Sequence, residues 1–221
     1  SISFSGRFEA CTRNSLFLII TLAMVFSMNN SKAESSIEIA PGLVGIVHEP
    51  AVTPVGLVVI SPGAGYDMSQ SLITDAAEKA ASLGYRALRF NWRYVTAKVE
   101  RGDGIENEVR DLKDAVNYLK SISPEGKQMI LIGKSLGSIV SANVAGEGAY
   151  PVILLTPVCR SEVEFNNFYG PTGNMQVMIA GDQDPLCKTE ILFRHVDPST
   201  KVSILKGDHG FEGATSSESK R

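Results

Sequence analysis

A serine, a histidine and an aspartate in this chain could together break an acyl bond, provided that the fold brings their side chains to one place. Ser135 lies in the pentapeptide GKSLG, and His209 lies in the stretch LKGDHGF. Asp182 and Asp184 lie between them, in the stretch MIAGDQDPL. A serine hydroxyl is a weak nucleophile, so it needs an adjacent base, and the base needs a carboxylate that orients it. These residue types predict nucleophilic catalysis by Ser135.

The pentapeptide around Ser135 is short enough to occur by chance, so its neighbours decide how it is interpreted. It overlaps the end of the apolar run QMILIG, which predicts a buried strand, and the small residues from Ser138 to Ala145 predict a helix packed closely on a sheet. A serine between a strand and a helix is the context of a nucleophile elbow. Gly133 and Gly137 give such a turn the room it requires, because side chains there would collide with neighbouring backbone.

The chain has three histidines that are candidates for the base. His48 lies near the end of an early predicted strand, and His195 lies in a predicted helix. His209 directly follows the last predicted strand, where its ring could lie over the same sheet edge as the serine. Asp182 and Asp184 both follow the preceding strand, and either could supply the carboxylate or simply form a turn. We therefore take His209 as the base, and the spacing leaves both aspartates open.

The elements that must position these residues alternate between strands and helices. Continuous apolar runs are typical of strands buried on both faces, and apolar spacings of three and four predict amphipathic helices. The predicted strands are VGLVVIS, YRALRFN, QMILIG, PVILLTP, MQVMIAG and KVSILKG, and helices are predicted over 69–83, 103–121 and 190–196. This alternation predicts an α/β fold, a mainly parallel twisted sheet with helices on both faces.

Several of these motifs resemble those of the α/β-hydrolase superfamily, and in particular of compact, lidless hydrolases similar to dienelactone hydrolases. SPGAGYDM resembles the HGAGGDM element of that group, LRFNWRY resembles its RFNFRG strand end, and GIENEVRDLKDAVNYL resembles the following helix. The chain order serine, acid, histidine is also that of α/β-hydrolases. The resemblance implies that Asp184 rather than Asp182 is the acid, since the group's acid ends a G-x-x-D turn. It also implies an oxyanion hole formed by the backbone N–H groups of Ala64 and Leu136.

Two departures from the group lie in the loop that follows the first buried strand. Pro62 stands where the group usually has histidine, and Tyr66 replaces a glycine, but neither change removes the N–H of Ala64. Asn91 and Trp92 lie at the carboxyl end of another predicted strand, where ligands bind in such sheets. They could line a substrate pocket, or Trp92 could pack beneath the loop.

The composition favours a folded domain and excludes a nucleic-acid-binding surface. Hydrophobic residues make up 43% of the 221 residues, the formal net charge is −3, and lysines and arginines are scattered among acids. No C-x-x-C pair or histidine–cysteine cluster predicts a metal, and the expected chemistry requires no cofactor. Cys159 and Cys187 could form one disulfide in an oxidising compartment, with two free buried thiols as the alternative.

The first 33 residues have the order of a secretory signal peptide. A basic flank, GRFEACTRN, precedes the apolar stretch SLFLIITLAMVFSM, and Ser31 and Ala33 occupy positions −3 and −1 of a cleavage site. The apolar stretch is short for a membrane span of about 20 residues. We therefore expect export to the periplasm or the exterior after cleavage near Ala33. A translation start at Met24 or Met28 would instead leave the protein in the cytoplasm.

The remaining residues, 34–221, are expected to form a single α/β-hydrolase domain. Among them, the polar stretch GFEGATSSESKR after His209 shows few helix signals, although the resembling group normally closes its fold with a helix there.

The sequence therefore predicts a serine hydrolase that cleaves an ester, thioester or similar acyl bond through an acyl-enzyme intermediate. The segment between Leu155 and Gln176 is too short for a substantial lid domain, so we expect an open site for small or extended soluble substrates. Two alternatives stay open: a non-catalytic binding module on the same fold, and an acyltransferase that uses the same triad.

Overall fold

The structure is a computed structural model that describes residues 36–170 and 175–211. The predicted signal peptide, residues 1–33, and the polar stretch after Phe211 lie outside the described residues. In the described ranges, no helix is long and apolar enough to cross a membrane.

One sheet dominates the described part of the chain, with eight strands in the order β1-β2-β4-β3-β5-β6-β7-β8. The strands are β1 (Ile37–Ala40), β2 (Leu43–His48), β3 (Gly56–Ser61), β4 (Tyr85–Phe90), β5 (Met129–Lys134), β6 (Val152–Leu155), β7 (Met175–Gly181) and β8 (Lys201–Leu205). Strands β3 to β8 run parallel, and β2 is antiparallel to both β1 and β4. The predicted mainly parallel sheet is confirmed.

Helices connect most of these strands. Within the described ranges they are α1 (Ser71–Ser82), α2 (Arg93–Ala97), α3 (Glu106–Ser121), α4 (Leu136–Gly148), α5 (Glu162–Tyr169) and α6 (Thr189–His195). The first long helix begins at Ser71 rather than 69, and the second begins at Glu106 rather than 103. Helices α2 and α5 were not predicted, although Ser161 caps α5 by accepting the N–H of Glu164 at 3.1 Å, as the S-x-x-E pattern of a capping box would suggest.

The two faces of the sheet form separate apolar layers. Alternate side chains of β3 and β5, such as Val59 and Leu131, face a core shared with α3, α4, α5 and α6. Their neighbours, such as Val58 and Ile130, face a smaller core under α1. All side chains of β3 and β5 are buried, which explains why both strands appear in the sequence as unbroken apolar runs.

The carboxyl ends of the parallel strands share one edge of the sheet, and the loops that leave this edge carry the candidate site. The connection between β6 and β7 contains α5, whose Phe165 and Tyr169 are buried in the larger core. In its described part, 156–170, this connection therefore packs on the sheet and forms no lid domain.

Candidate active site

Ser135 occupies a sharp turn between β5 and α4. Its φ is 52° and its ψ is −113°, a conformation that costs a non-glycine residue about 1–3 kcal/mol unless its surroundings impose it. The N–H of Ser135 donates to the carbonyl of Leu155 at 3.0 Å. A Cβ atom at Gly133 would collide with the carbonyl of Gly137, and one at Gly137 would collide with the carbonyl of Ser61. Both glycines are therefore required by the close approach of backbone around the elbow.

A continuous chain of hydrogen bonds joins Ser135, His209 and Asp184. Nε2 of His209 lies 2.8 Å from Oγ of Ser135, and Nδ1 lies 2.9 Å and 2.8 Å from the two carboxylate oxygens of Asp184. The Asp184 side chain is fully buried and the His209 side chain is 20% exposed. A carboxylate beside Nδ1 favours the tautomer with the proton on Nδ1, which leaves Nε2 as a hydrogen-bond acceptor facing Oγ of Ser135.

The second aspartate of this turn, Asp182, makes a different contact. Its Oδ1 accepts the N–H of Gly207 at 3.0 Å, and the N–H of Gln183 donates to the carbonyl of Gly207 at 2.9 Å. Asp182 therefore ties the loop after β7 to the loop after β8, while Asp184 lies beside His209.

The other two histidines lie in different environments. Nε2 of His48 accepts a hydrogen bond from Nε of Arg89 at 2.8 Å, between β2 and β4. His195 ends α6, with its Nε2 3.3 Å from Oε1 of Glu162. In residues 36–170 and 175–211, no group of three or more potential ligands could hold a metal ion.

The two N–H groups implied for the oxyanion hole lie beside the elbow. Leu136 is the first residue of α4, where a backbone N–H has no acceptor within the helix. Ala64 lies in the exposed loop after β3, and a Cβ atom at the neighbouring Gly63 would lie 3.5 Å from Cβ of Ser135. Both N–H groups therefore lie on segments that border Ser135, as the family resemblance implies.

Trp92 supports the loop after β3 from below. It is fully buried, and its ring packs edge-on against Phe90 with the centroids 4.9 Å apart. Its Nε1–H donates to the carbonyl of Pro62 at 3.2 Å. Of the two alternatives for Trp92, the structure favours packing beneath the loop over lining a substrate pocket, because a completely buried indole offers no surface to a substrate.

Asn91 and Tyr94 hold the same loop by its backbone. Oδ1 of Asn91 accepts the N–H of Met68 at 2.6 Å, so this half-buried side chain binds the backbone of the loop. The hydroxyl of Tyr94 accepts the N–H of Gly65 at 3.0 Å. The loop after β3 is thus fixed at both ends by residues that follow β4.

A disulfide joins Cys159 and Cys187, in the loops after β6 and β7. The surrounding backbone pairs as well: the N–H of Cys159 donates to the carbonyl of Leu186 at 2.8 Å, and the N–H of Lys188 donates to Cys159 at 3.1 Å. Leu186 in turn donates its N–H to Oδ1 of Asp184 at 2.8 Å. The disulfide therefore lies next to the turn that positions the acid.

Lys134, which the sequence analysis did not single out, directly precedes Ser135. Its side chain is buried at the end of β5, and its Nζ lies 5.3 Å from the ring centroid of Tyr66. Burial lowers the pKa of Lys134, while the charges of Asp184 and Asp208 act in the opposite direction. A lysine at the end of the apolar run MILIGK was the available signal.

Residues 54–221 match the family model of the α/β-hydrolase domain. The chain belongs to the α/β-hydrolase family. The match begins just before β3, so it includes the elbow, both loops that carry Asp184 and His209, and the loop with Ala64. The α/β-hydrolase fold expected from the sequence motifs is confirmed.

Solved structures of other α/β-hydrolases are similar to this chain. An α/β serine hydrolase homologue from Coxiella burnetii has 22% identity and a TM-score of 0.69, over 85% of this chain and 93% of that chain. A lidless α/β serine hydrolase from Xanthomonas campestris has 19% identity and a TM-score of 0.67, over 84% and 89%. An esterase from Pyrococcus furiosus has 17% identity and a TM-score of 0.63, over 84% and 90%. At these identities the similarity shows the fold; among curated protein sequences, none matches significantly.

Proposed function

We propose that this α/β-hydrolase is a serine hydrolase that cleaves an ester, thioester or similar acyl bond. The observation that supports this most strongly is the unbroken hydrogen-bonded chain from Oγ of Ser135 through His209 to Asp184, with distances of 2.8 to 2.9 Å. The strained turn at Ser135 gives further support, because a fold keeps such strain where the side chain must be presented at one place.

In the proposed mechanism, Oγ of Ser135 attacks the acyl carbonyl while Nε2 of His209 takes the serine proton. Asp184 holds the imidazole in place and stabilises its charged form. The N–H groups of Ala64 and Leu136 bind the oxyanion, and one such donor contributes on the order of 10²–10³ in rate. His209 then protonates the leaving group, and water attacks the acyl-enzyme with His209 as base.

The proposed substrates are small or extended soluble acyl compounds. The connection between β6 and β7, where other folds could insert a lid, packs α5 on the sheet through Phe165 and Tyr169. Two structural neighbours are named a serine hydrolase without lid and an esterase, which agrees with a site that has no lid and with ester cleavage. We expect activity to fall as the acyl chain of a test ester lengthens and to show no activation at a lipid interface.

The test is hydrolysis of 4-nitrophenyl esters with acyl chains of graded length, by the wild type, Ser135→Ala and Ser121→Ala. Ser121 ends α3 and is exposed, so its variant controls for loss of a serine hydroxyl elsewhere. The proposal predicts turnover by the wild type and Ser121→Ala and none above background by Ser135→Ala. Equal turnover by Ser135→Ala would contradict it.

The ester assay, extended with a fluorophosphonate probe, distinguishes two other possible functions. A binding module would give no turnover with any ester and no reaction with a fluorophosphonate. An acyltransferase would react with the fluorophosphonate and turn over faster when an alcohol or amine acceptor is added.

We also propose that the protein is exported after cleavage near Ala33. The disulfide between Cys159 and Cys187 supports an oxidising compartment, where such bonds persist. Expression of the full chain in a bacterial host, followed by fractionation and N-terminal sequencing, tests this. Mature protein that begins at Glu34 outside the cytoplasm is expected, and an uncleaved cytoplasmic chain would refute export.

A further inference from the structure

A buried cation lies directly beside the proposed nucleophile. Lys134 is the last residue of β5 and has 1% of its surface exposed, although lysine is almost never fully buried without a partner. Such a charge needs compensation, because burying an ion costs several kcal/mol.

The ammonium group lies beneath the loop after β3. Its Nζ is 5.3 Å from the ring centroid of Tyr66, a cation–π contact that contributes about 0.5–2 kcal/mol. A Cβ atom at Gly63 would lie 3.8 Å from this Nζ and 3.5 Å from Cβ of Ser135. Nζ of Lys134 and Cβ of Ser135 therefore both lie close to Gly63, the residue before Ala64.

In the resting protein, burial disfavours the charged form of Lys134 more than the surrounding carboxylates favour it, so its pKa is lowered. The contact with Tyr66 is weak, and the carboxylates of Asp184 and Asp208 act on Lys134 through space without forming an ion pair. A negative charge that appears beside this loop only during the reaction would be stabilised by the cation more strongly than the uncharged substrate. Interactions that are stronger in the transition state than in the ground state raise kcat.

We propose that Lys134 is a cationic positioning residue of the proposed serine hydrolase, whose charge supports the oxyanion through the loop of Gly63, Ala64 and Tyr66. This inference rests on the proposed function. Ala64 and Leu136 still donate the hydrogen bonds, and Lys134 makes the potential around them more positive without touching the substrate.

The charge on Lys134 makes kcat depend on pH in a defined direction. Burial lowers the pKa of Lys134 from its ordinary value of 10.5, with Asp184 and Asp208 opposing the shift. Lysine is charged below its pKa, so kcat should fall as the pH rises through that lowered value. The other titratable groups described around it are Asp184 and Asp208, whose charges act on Lys134, and Tyr66, whose ring lies near its Nζ. An ordinary phenol also loses its proton at alkaline pH, so the test includes a variant without the Tyr66 hydroxyl.

The experiment measures kcat and KM from pH 6 to 11 for the wild type, Lys134→Met, Lys134→Arg and Tyr66→Phe, with 4-nitrophenyl acetate corrected for background. Tyr66→Phe keeps the ring over the ammonium and removes the phenol, so its alkaline fall in kcat should persist. Lys134→Met, of similar length and uncharged, should lower kcat on the order of tenfold at pH 8 with little change in KM. It should also lack the alkaline fall, and Lys134→Arg should keep a high kcat to higher pH because its charge persists.

Several results would overturn the inference. One is a kcat for Lys134→Met that equals that of the wild type, and another is an alkaline fall that disappears in Tyr66→Phe. Equal losses in correctly folded Lys134→Met and Lys134→Arg would show that packing, and not charge, matters. If circular dichroism shows that neither Lys134 variant folds, the pH profiles of kcat for the wild type and Tyr66→Phe test the inference. Failure of the proposed function would be distinguishable, because activity in the wild type would then not depend on Ser135.

Discussion

The nucleophile half of the candidate site and its acid–histidine half are held together by different means. Around Ser135 the backbone itself is the constraint: β5 ends, α4 begins, and two glycines allow backbone segments to touch. Asp184 and His209 lie in the loops after β7 and β8, which are joined by hydrogen bonds at the carboxylates of Asp182 and Asp184 and flanked by a disulfide. We expect the turn around Ser135 to be disrupted only by substitutions that cause steric collisions. The arrangement of Asp184 and His209 should instead be disrupted by the loss of single hydrogen bonds or of the disulfide.

Asp184→Asn should have the largest effect, because it removes the charge that stabilises the imidazolium and alters the tautomer of His209. We expect kcat to fall on the order of 10⁴-fold, with little change in thermal stability. Steady-state kinetics and differential scanning fluorimetry measure both quantities.

Asp182→Asn is the matched control, since its amide oxygen can still accept the N–H of Gly207. A loss of only a few fold is expected. If the two variants lost the same activity, Asp184 would have no special role.

Gly137→Ala should destabilise the turn around Ser135 through a steric collision. The added Cβ would meet the carbonyl oxygens of Ser61 and Pro62, which belong to a buried strand and its loop and cannot move aside easily. We expect a loss of about 4 kcal/mol in the free energy of unfolding, in the upper range for single substitutions.

Gly146→Ala on the same helix has open space around its Cβ position. It should stabilise the protein by up to about 1 kcal/mol through helix propensity. Urea denaturation compares the two variants, and similar stabilities would show that the elbow does not need a glycine at 137.

Reduction of the disulfide should destabilise the part of the fold that holds Asp184 and His209. Cys159 and Cys187 are separated by 28 residues, and closing such a loop stabilises by about 3 kcal/mol. We expect the melting temperature to fall by about 10 °C in reductant. The double variant Cys159→Ala, Cys187→Ala should melt at the reduced value whether or not reductant is present. A wild type whose melting temperature is the same in both conditions would contradict this.

Tyr94→Phe should have the smallest effect, because it removes one support of the loop that carries Ala64. The N–H of Gly65 loses its acceptor but is exposed enough to bind water instead. A fall in kcat of less than about fivefold, with KM and stability nearly unchanged, is expected. A loss as large as that of Asp184→Asn would mean that Tyr94 acts on the substrate directly.

The difference between the local turn around Ser135 and the contacts that hold Asp184 and His209 also explains how much of the site the sequence could predict. The elbow is local: an apolar strand, a serine between glycines and a helix of small residues follow one another along the chain. The strands were predicted well because β3 and β5 are buried on both faces and so contain hardly any polar residues. The choice of Asp184 over Asp182 needed the family resemblance, because both residues lie in the same turn.

Features that depend on distant contacts were not predicted. Helix α2 begins at Arg93, whose N–H donates to Oδ2 of Asp111 at 2.9 Å and whose guanidinium pairs with Asp111 and Asp114 of α3. No pattern within five residues could indicate such a helix. The burial of Lys134 beside the elbow likewise follows from packing between elements that are far apart in sequence. The same kind of packing decides between the two alternatives that the sequence left open for Trp92.

The central claim is that Ser135 is a nucleophile activated by His209. Its most direct test is reaction with a fluorophosphonate, followed by peptide mapping with mass spectrometry, in the wild type and in His209→Gln. We expect one phosphonylated peptide, modified at Ser135, and labelling that is slowed by several orders of magnitude in His209→Gln. An adduct at another residue, or labelling of Ser135 at the same rate without His209, would contradict it.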